Sequence, residues 1–159
     1  MQGCLGVACT SVVTEYQLRK PGQSAKYTIE IDRMTDSEIK EQLRELLWSY
    51  RSFHMKDPDD KGMRADEEKM ESKAKLAWDT LKSVFGSRRE LTEAYLKDSS
   101  EGAEDRIQQQ LKLWTESIQW PGNSHQNGWL RSAETRAECK KQMQPFSTGP
   151  LWPFIKVIR

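Results

Sequence analysis

The chain has 159 residues, of which 36% are hydrophobic and 31% charged, with 25 basic against 24 acidic side chains. That is one domain's worth of chain, with a modest core under a heavily solvated surface. So even a charge balance supplies no long-range field to draw nucleic acid or an anionic membrane, and no apolar run approaches the roughly 18 residues of a membrane span.

The chain opens on Gly6-Val7-Ala8-Cys9-Thr10-Ser11, a small and hydroxyl-bearing run that feeds Val12-Val13-Thr14. Branched Cβ atoms favour extended backbone, so a polar loop should lead into a first strand over Ser11 to Arg19. The Thr10 hydroxyl at the end of that loop is of the type that ligates a hard cation such as Mg2+. Lys20-Pro21-Gly22-Gln23-Ser24 has turn chemistry. Lys26 to Asp32 alternates Tyr27, Ile29 and Ile31 with Thr28 and Glu30, as a half-buried strand does, and is the expected hairpin partner of the first.

Helices should follow. Thr35-Asp36-Ser37-Glu38 has the capping-box spacing, and Ile39, Leu43, Leu46, Leu47, Tyr50 and Phe53 recur on one helical face up to Asp57-Pro58. His54 falls in the last turn, where the helix dipole favours a cation. Asp57 to Glu71 reads as a charged linker. Ala74, Ala77, Trp78, Leu81, Val84 and Phe85 form a second stripe, with Gly86 as its C-cap. A short segment over Arg88 to Lys97 carries Leu91, Ala94 and Tyr95 and is broken at Ser99-Ser100-Glu101-Gly102. Ala103, Ile107, Leu111, Trp114 and Ile118 mark another amphipathic helix, stopped by Trp120-Pro121-Gly122-Asn123. Pro121 to Gly128 is expected to be a polar loop, and Ser132 to cap a last helix reaching about Met143. Three prolines between Pro145 and Pro153 exclude regular structure before an apolar, strand-like run from Phe154 to Ile158. Of six tryptophans, Trp48, Trp78 and Trp114 are expected in the core, and Trp120, Trp129 and Trp152 as rings clamped at the surface.

Other catalytic arrangements find little support. His54 and His125 are the two histidines, far apart and without a Ser or Cys in a nucleophile motif. Cys4, Cys9 and Cys139 include no Cys-x-x-Cys pair and no histidine cluster, which favours reduced thiols over a disulfide framework or zinc site. A phosphate-cradling Gly-x4-Gly-Lys-Ser/Thr run does not occur, nor does the guanine-reading Asn/Thr-Lys-x-Asp motif. Asp59-Asp60-Lys61-Gly62 matches a bare Asp-x-x-Gly pattern, but inside the charged linker rather than after a buried strand. Met1 to Leu5 lacks the basic-then-apolar pattern of a secretory leader, so the expected location is cytoplasmic or nuclear.

Ala8-Cys9-Thr10-Ser11-Val12-Val13-Thr14-Glu15-Tyr16 resembles the switch I stretch of the dynamin-like large GTPases, nearest the fungal branch similar to the nuclear GTPase SLIP-GC. Tyr27-Thr28-Ile29-Glu30-Ile31, Leu46-Leu47-Trp48-Ser49-Tyr50-Arg51, Gly128-Trp129, Ala133-Glu134-Thr135 with Glu138-Cys139, and Leu151 to Arg159 also look like family features. The likeness covers residues 3–54 and 114–159. It implies an internal piece of a GTPase domain in which Ala8, Cys9, Thr10 and Ser11 line the nucleotide. By the same resemblance, Thr10 is the catalytic switch residue, with its hydroxyl on Mg2+ and its backbone on the γ-phosphate, and GTP and Mg2+ are the cofactors of the intact domain. The implied fold is mixed α/β and helix-rich. It has a partial P-loop GTPase-like sheet of two to three strands over residues 1–34 and 145–159, and a large helical insertion over 35–144. That insertion is the expected surface for self-association or a protein partner. Lacking the phosphate loop, the chain alone is expected neither to bind GTP tightly nor to hydrolyse it. The alternative is a free-standing helical protein–protein interaction module without catalysis.

Overall fold

Residues 12–60, 62–120 and 128–159 are described by a computed structural model. Their elements in chain order are β1 (Val13–Thr14), β2 (Tyr27–Arg33), α1 (Asp36–His54), α2 (Arg64–Phe85), α3 (Glu93–Leu96), α4 (Ala103–Glu116), β3 (Gly128–Ala133), α5 (Arg136–Ser147) and β4 (Ile155–Ile158). They divide into a sheet unit, residues up to Thr35 and from Trp120 onward, and a helical unit, Asp36–Gln119. The fold is mixed α/β, as expected, but the helical region closes at Gln119 rather than at residue 144. β3 and α5 belong with the sheet.

In the sheet unit the strand order is β1-β4-β2-β3. β2 runs antiparallel to β3, with Ile29 opposite Arg131 and Ile31 opposite Trp129, and antiparallel to β4 with a register shift between Asp32 and Arg33. β1 is parallel to β4, pairing Val13 with Val157. Ile29 and Ile31 are buried, so the alternation read along β2 holds. The turn before it holds too: Gly22 has φ +82°, and the Gln23 N–H donates to Lys20 O at 3.2 Å. A type of turn with positive φ there suits glycine.

Several expectations for this unit are corrected. Among the described residues, the first strand is Val13–Thr14 alone, and it forms no hairpin with β2. Tyr16 and Leu18 are 91% and 94% exposed, so the chain has left the sheet by then. The inner position beside β2 goes instead to β4, whose Ile155, Val157 and Ile158 are all buried while Lys156 between them stays exposed. The sheet has four strands rather than two to three, since Gly128–Ala133 is β3. The helix after it is capped by Thr135 and not by Ser132: Thr135 Oγ1 accepts from the Glu138 N–H at 3.2 Å, and the Glu138 carboxylate reaches back to the Thr135 N–H. That helix runs past Met143 to Ser147 with Pro145 inside it. Pro145 lacks the N–H that would bond the carbonyl four residues back, so the last turn of α5 loses one ladder bond. A 3-10 turn, Trp152–Phe154, follows, and β4 starts at Ile155. α5 packs on β3, β2 and β4, closing a core around Trp129, Phe146 and Phe154.

In the helical unit α1 packs against α2, α4 and α3. The stripes read from sequence supply its core: Leu43 and Leu47 from α1, Ala77 and Leu81 from α2, and Ile107 and Leu111 from α4 are all buried. α2 begins at Arg64, so the charged linker is shorter than Asp57 to Glu71. Gly86 caps α2 in ordinary right-handed geometry, whereas Gly102 has φ +70° at the start of α4. Of the residues expected to pack in this segment, Leu91 is buried and Tyr95 half-buried but Ala94 is exposed, and Leu96 is what anchors α3. Trp48 is 57% exposed rather than in the core, while Trp114 is buried. The short α3 depends on side chains: Arg51 Nη1 donates to the carbonyls of Leu96 and Asp98, both at 2.8 Å.

Candidate functional site

The stretch singled out from sequence, Ala8, Cys9, Thr10 and Ser11, lies outside the described residues, as do Cys4 and His125. What the structure describes is the scaffold this stretch runs into. Val12 leads to β1 at the sheet edge, and just beyond it the Glu15 N–H donates to Ile158 O at 2.8 Å.

Charge gathers at that end of the sheet. Arg159 Nε donates to Glu15 Oε2 at 2.9 Å and Arg159 Nη1 to Asp32 Oδ2 at 2.6 Å. One guanidinium thus joins residues following β1 and β4 to Asp32 of β2. The hydrogen bond to Asp32 first, and that to Glu15 second, raise the guanidinium's already high pKa. A fork bonded to two carboxylates has little capacity left for a phosphate, so this cluster positions strands and is not an anion site. Sequence reasoning missed it, because its members are 144 and 127 residues apart along the chain.

The remaining sequence candidates are scattered. Asp59 and Gly62 fall between α1 and α2, exposed, with the Asp59 N–H donating to Asp57 Oδ1 at 3.0 Å; Lys61 lies outside the described residues. No buried strand precedes this Asp-x-x-Gly, so it has the setting of a surface turn. His54 ends α1 with its ring 4.4 Å from that of Tyr50. Contrary to the helix-dipole expectation its pKa is lowered, first by desolvation against its neighbours and then by Lys97. The Cys139 thiol on α5 is pushed up, by burial and then by Glu138, away from the thiolate a nucleophile requires. Tyr50 donates its hydroxyl to Glu93 at 3.2 Å, and burial, then that carboxylate, raise its pKa. Among the described residues no group of three or more His, Cys, Asp or Glu is placed to hold a metal.

The tryptophans expected as surface rings are more enclosed than that. Trp129 is 8% exposed, stacks on Trp120 at 5.7 Å, and meets Phe146 at 5.1 Å. The Arg33 guanidinium lies over the Trp120 ring at 4.7 Å. Two signals could have revealed this arrangement: Thr135-x-x-Glu138 is itself a capping box, and with the helix start set there, Trp129 to Ala133 is left to a strand. No protein-family model matches the chain, and no curated protein or solved structure does either. No helix among the described residues is long and apolar enough to cross a membrane.

Proposed function

We propose that this chain is part of a GTP-binding domain of the dynamin-like type, with a helical unit inserted into its sheet. The observation that carries the reading is topological. The chain leaves the sheet after Arg33, builds Asp36–Gln119 as a unit with its own core, and rejoins the sheet at Gly128, the ladder partner of Asp32. A connection of that size between two hydrogen-bonded neighbours is an elaboration of the sheet rather than part of its framework. The switch-like Ala8 to Ser11 precedes β1, where resemblance expects a switch threonine.

In this reading GTP and Mg2+ are bound by the intact domain. Thr10 offers its hydroxyl to the metal and its backbone to the γ-phosphate. The chain after Thr10 enters the sheet as β1, and the Arg159 fork ties Glu15, just beyond β1, to Asp32 of β2. Phosphoryl transfer is catalysed mostly by positioning and charge stabilisation, and this chain contains no lysine-bearing phosphate loop to complete either. Calorimetric titration of the 159-residue chain with a non-hydrolysable GTP analogue and Mg2+ is expected to show no micromolar binding. Micromolar affinity would overturn the assignment of the pocket to a larger domain. Sequencing of full-length transcripts tests the parentage: a Gly-x4-Gly-Lys-Ser/Thr run in frame before residue 8 is expected, and its absence removes the GTPase reading.

A second reading is favoured by Trp48, Leu76 and Leu113, which are 57%, 54% and 56% exposed on α1, α2 and α4. Large apolar side chains left in solvent on a helical unit suit contact with a protein partner or a second copy. The transcript result separates this free-standing module from the GTPase fragment.

A further inference from the structure

β3 is an outer strand, with β2 on one side and no strand on the other among the described residues. The ladder shows which of its groups face outward. Glu30 exchanges both of its backbone bonds with Arg159, at 2.8 Å each, and it stands directly opposite Leu130. In an antiparallel ladder the N–H and C=O of one residue point to the same side. Glu30 is therefore spent on the β4 side, and the N–H and C=O of Leu130 point away from β2 into the open edge. Ser132 faces the same way, and Gln142 Nε2 donates to Ser132 O at 3.0 Å from that side.

Alongside this edge runs a shallow groove of about 490 Å³, lined by Leu130, Arg131, Ser132, Gln142, Pro145 and Phe146. Leu130 is 68% exposed. Gln142 lines the groove with its Nε2 bonded to Ser132 O, while its Oε1 is enclosed and receives no hydrogen bond among the described residues. Arg131 is the one charged residue in the lining, and no carboxylate pairs with it among the described residues. The acids closest in the ladder and cap are engaged elsewhere: Glu30 with Lys20 at 3.2 Å, and Glu138 with the amides of Glu134 and Thr135.

We propose that the outer edge of β3 and its groove take an extended, acidic segment of a partner protein as an added strand. Main-chain bonds to Leu130 and a side-chain carboxylate on Arg131 supply the affinity and the selectivity. Charge decides against a second copy of this chain. Two-fold pairing centred on Leu130 sets Arg131 opposite the enclosed Trp129 and brings no carboxylate to it.

The test uses the full chain and two fluorescein-labelled seven-residue peptides, alternating valine and threonine about a central glutamate in one and a central lysine in the other. Anisotropy should show the glutamate peptide bound at least about fivefold more tightly than the lysine peptide, the worth of one partly exposed ion pair. Leu130→Pro removes the outward N–H while leaving the bonds to β2, and should weaken binding at least about fivefold. Arg131→Glu should reverse the peptide preference, and decides the matter even if the proline variant does not fold. Equal binding of both peptides, binding indifferent to both substitutions, or no binding of either peptide overturns the proposal. So does a concentration-dependent dimer in sedimentation that Leu130→Pro dissolves, which would make a second copy the occupant.

Discussion

Single side chains in this protein behave as their neighbours dictate rather than as their positions in a pattern suggest. His54 is the clearest case. Its place at the end of α1 favours a cation, yet desolvation first and the Lys97 ammonium second lower its pKa below the ordinary 6.5. The unfolded chain then holds more protons than the folded one as the pH falls below that value, so stability should decline there. Above 6.5 the imidazole is neutral in both states and its contribution is fully present. Because the other side of the ring is exposed, the slope should be shallow. Urea midpoints measured between about pH 5 and 8 should show it in the wild type and not in His54→Gln; an unchanged slope in the variant would refute the assignment. No sequence pattern discloses Lys97 beside His54, since α3 and its approach to α1 intervene. Arg159, Asp32 and Glu15 were illegible for the same reason.

At the scale of elements, legibility followed the length of the apolar period. α1, α2 and α4 are long enough for their stripes to repeat several times, and the residues named from sequence are largely those buried. β3 is short, and its Trp129 sits beside a glycine, so the loop reading prevailed until the ladder to β2 placed it. Pro145 marked an end that the helix overrides by two residues, to Ser147, with Gln144 O still accepting the Thr148 N–H at 3.0 Å. The cap distinguishes the two placements of α5 in solution. Thr135→Ala should cost about 1 kcal/mol in chemical denaturation, as loss of an N-cap does, whereas Ser132→Ala should be close to neutral. The opposite ranking would restore Ser132 as the cap.

On the scale of the molecule, each unit has its own core, and damage to one should be legible as such. Leu111 is 0% exposed within the helical unit, and Leu111→Ala should cost about 2–5 kcal/mol. Amide exchange by mass spectrometry should rise chiefly over residues 36–119, with β2 and β4 retaining their protection. An equal rise across both units would show one cooperative structure instead. The mixed α/β fold class could be read from the chain. The stretch expected to touch nucleotide rested on resemblance, because a small and hydroxyl-rich loop carries no periodicity from which chemistry could be inferred.

The pairing of Val13 with Val157 sets an order of events during synthesis. Among the described residues β1 has β4 as its ladder partner, so a nascent chain must leave the ribosome almost to Ile158 before its opening strand finds a neighbour. Closing so distant a contact is slow, because its loop-closure entropy must be met before the pairing stabilises anything. The helices of Asp36–Gln119 make their contacts over shorter separations and are complete well before that point.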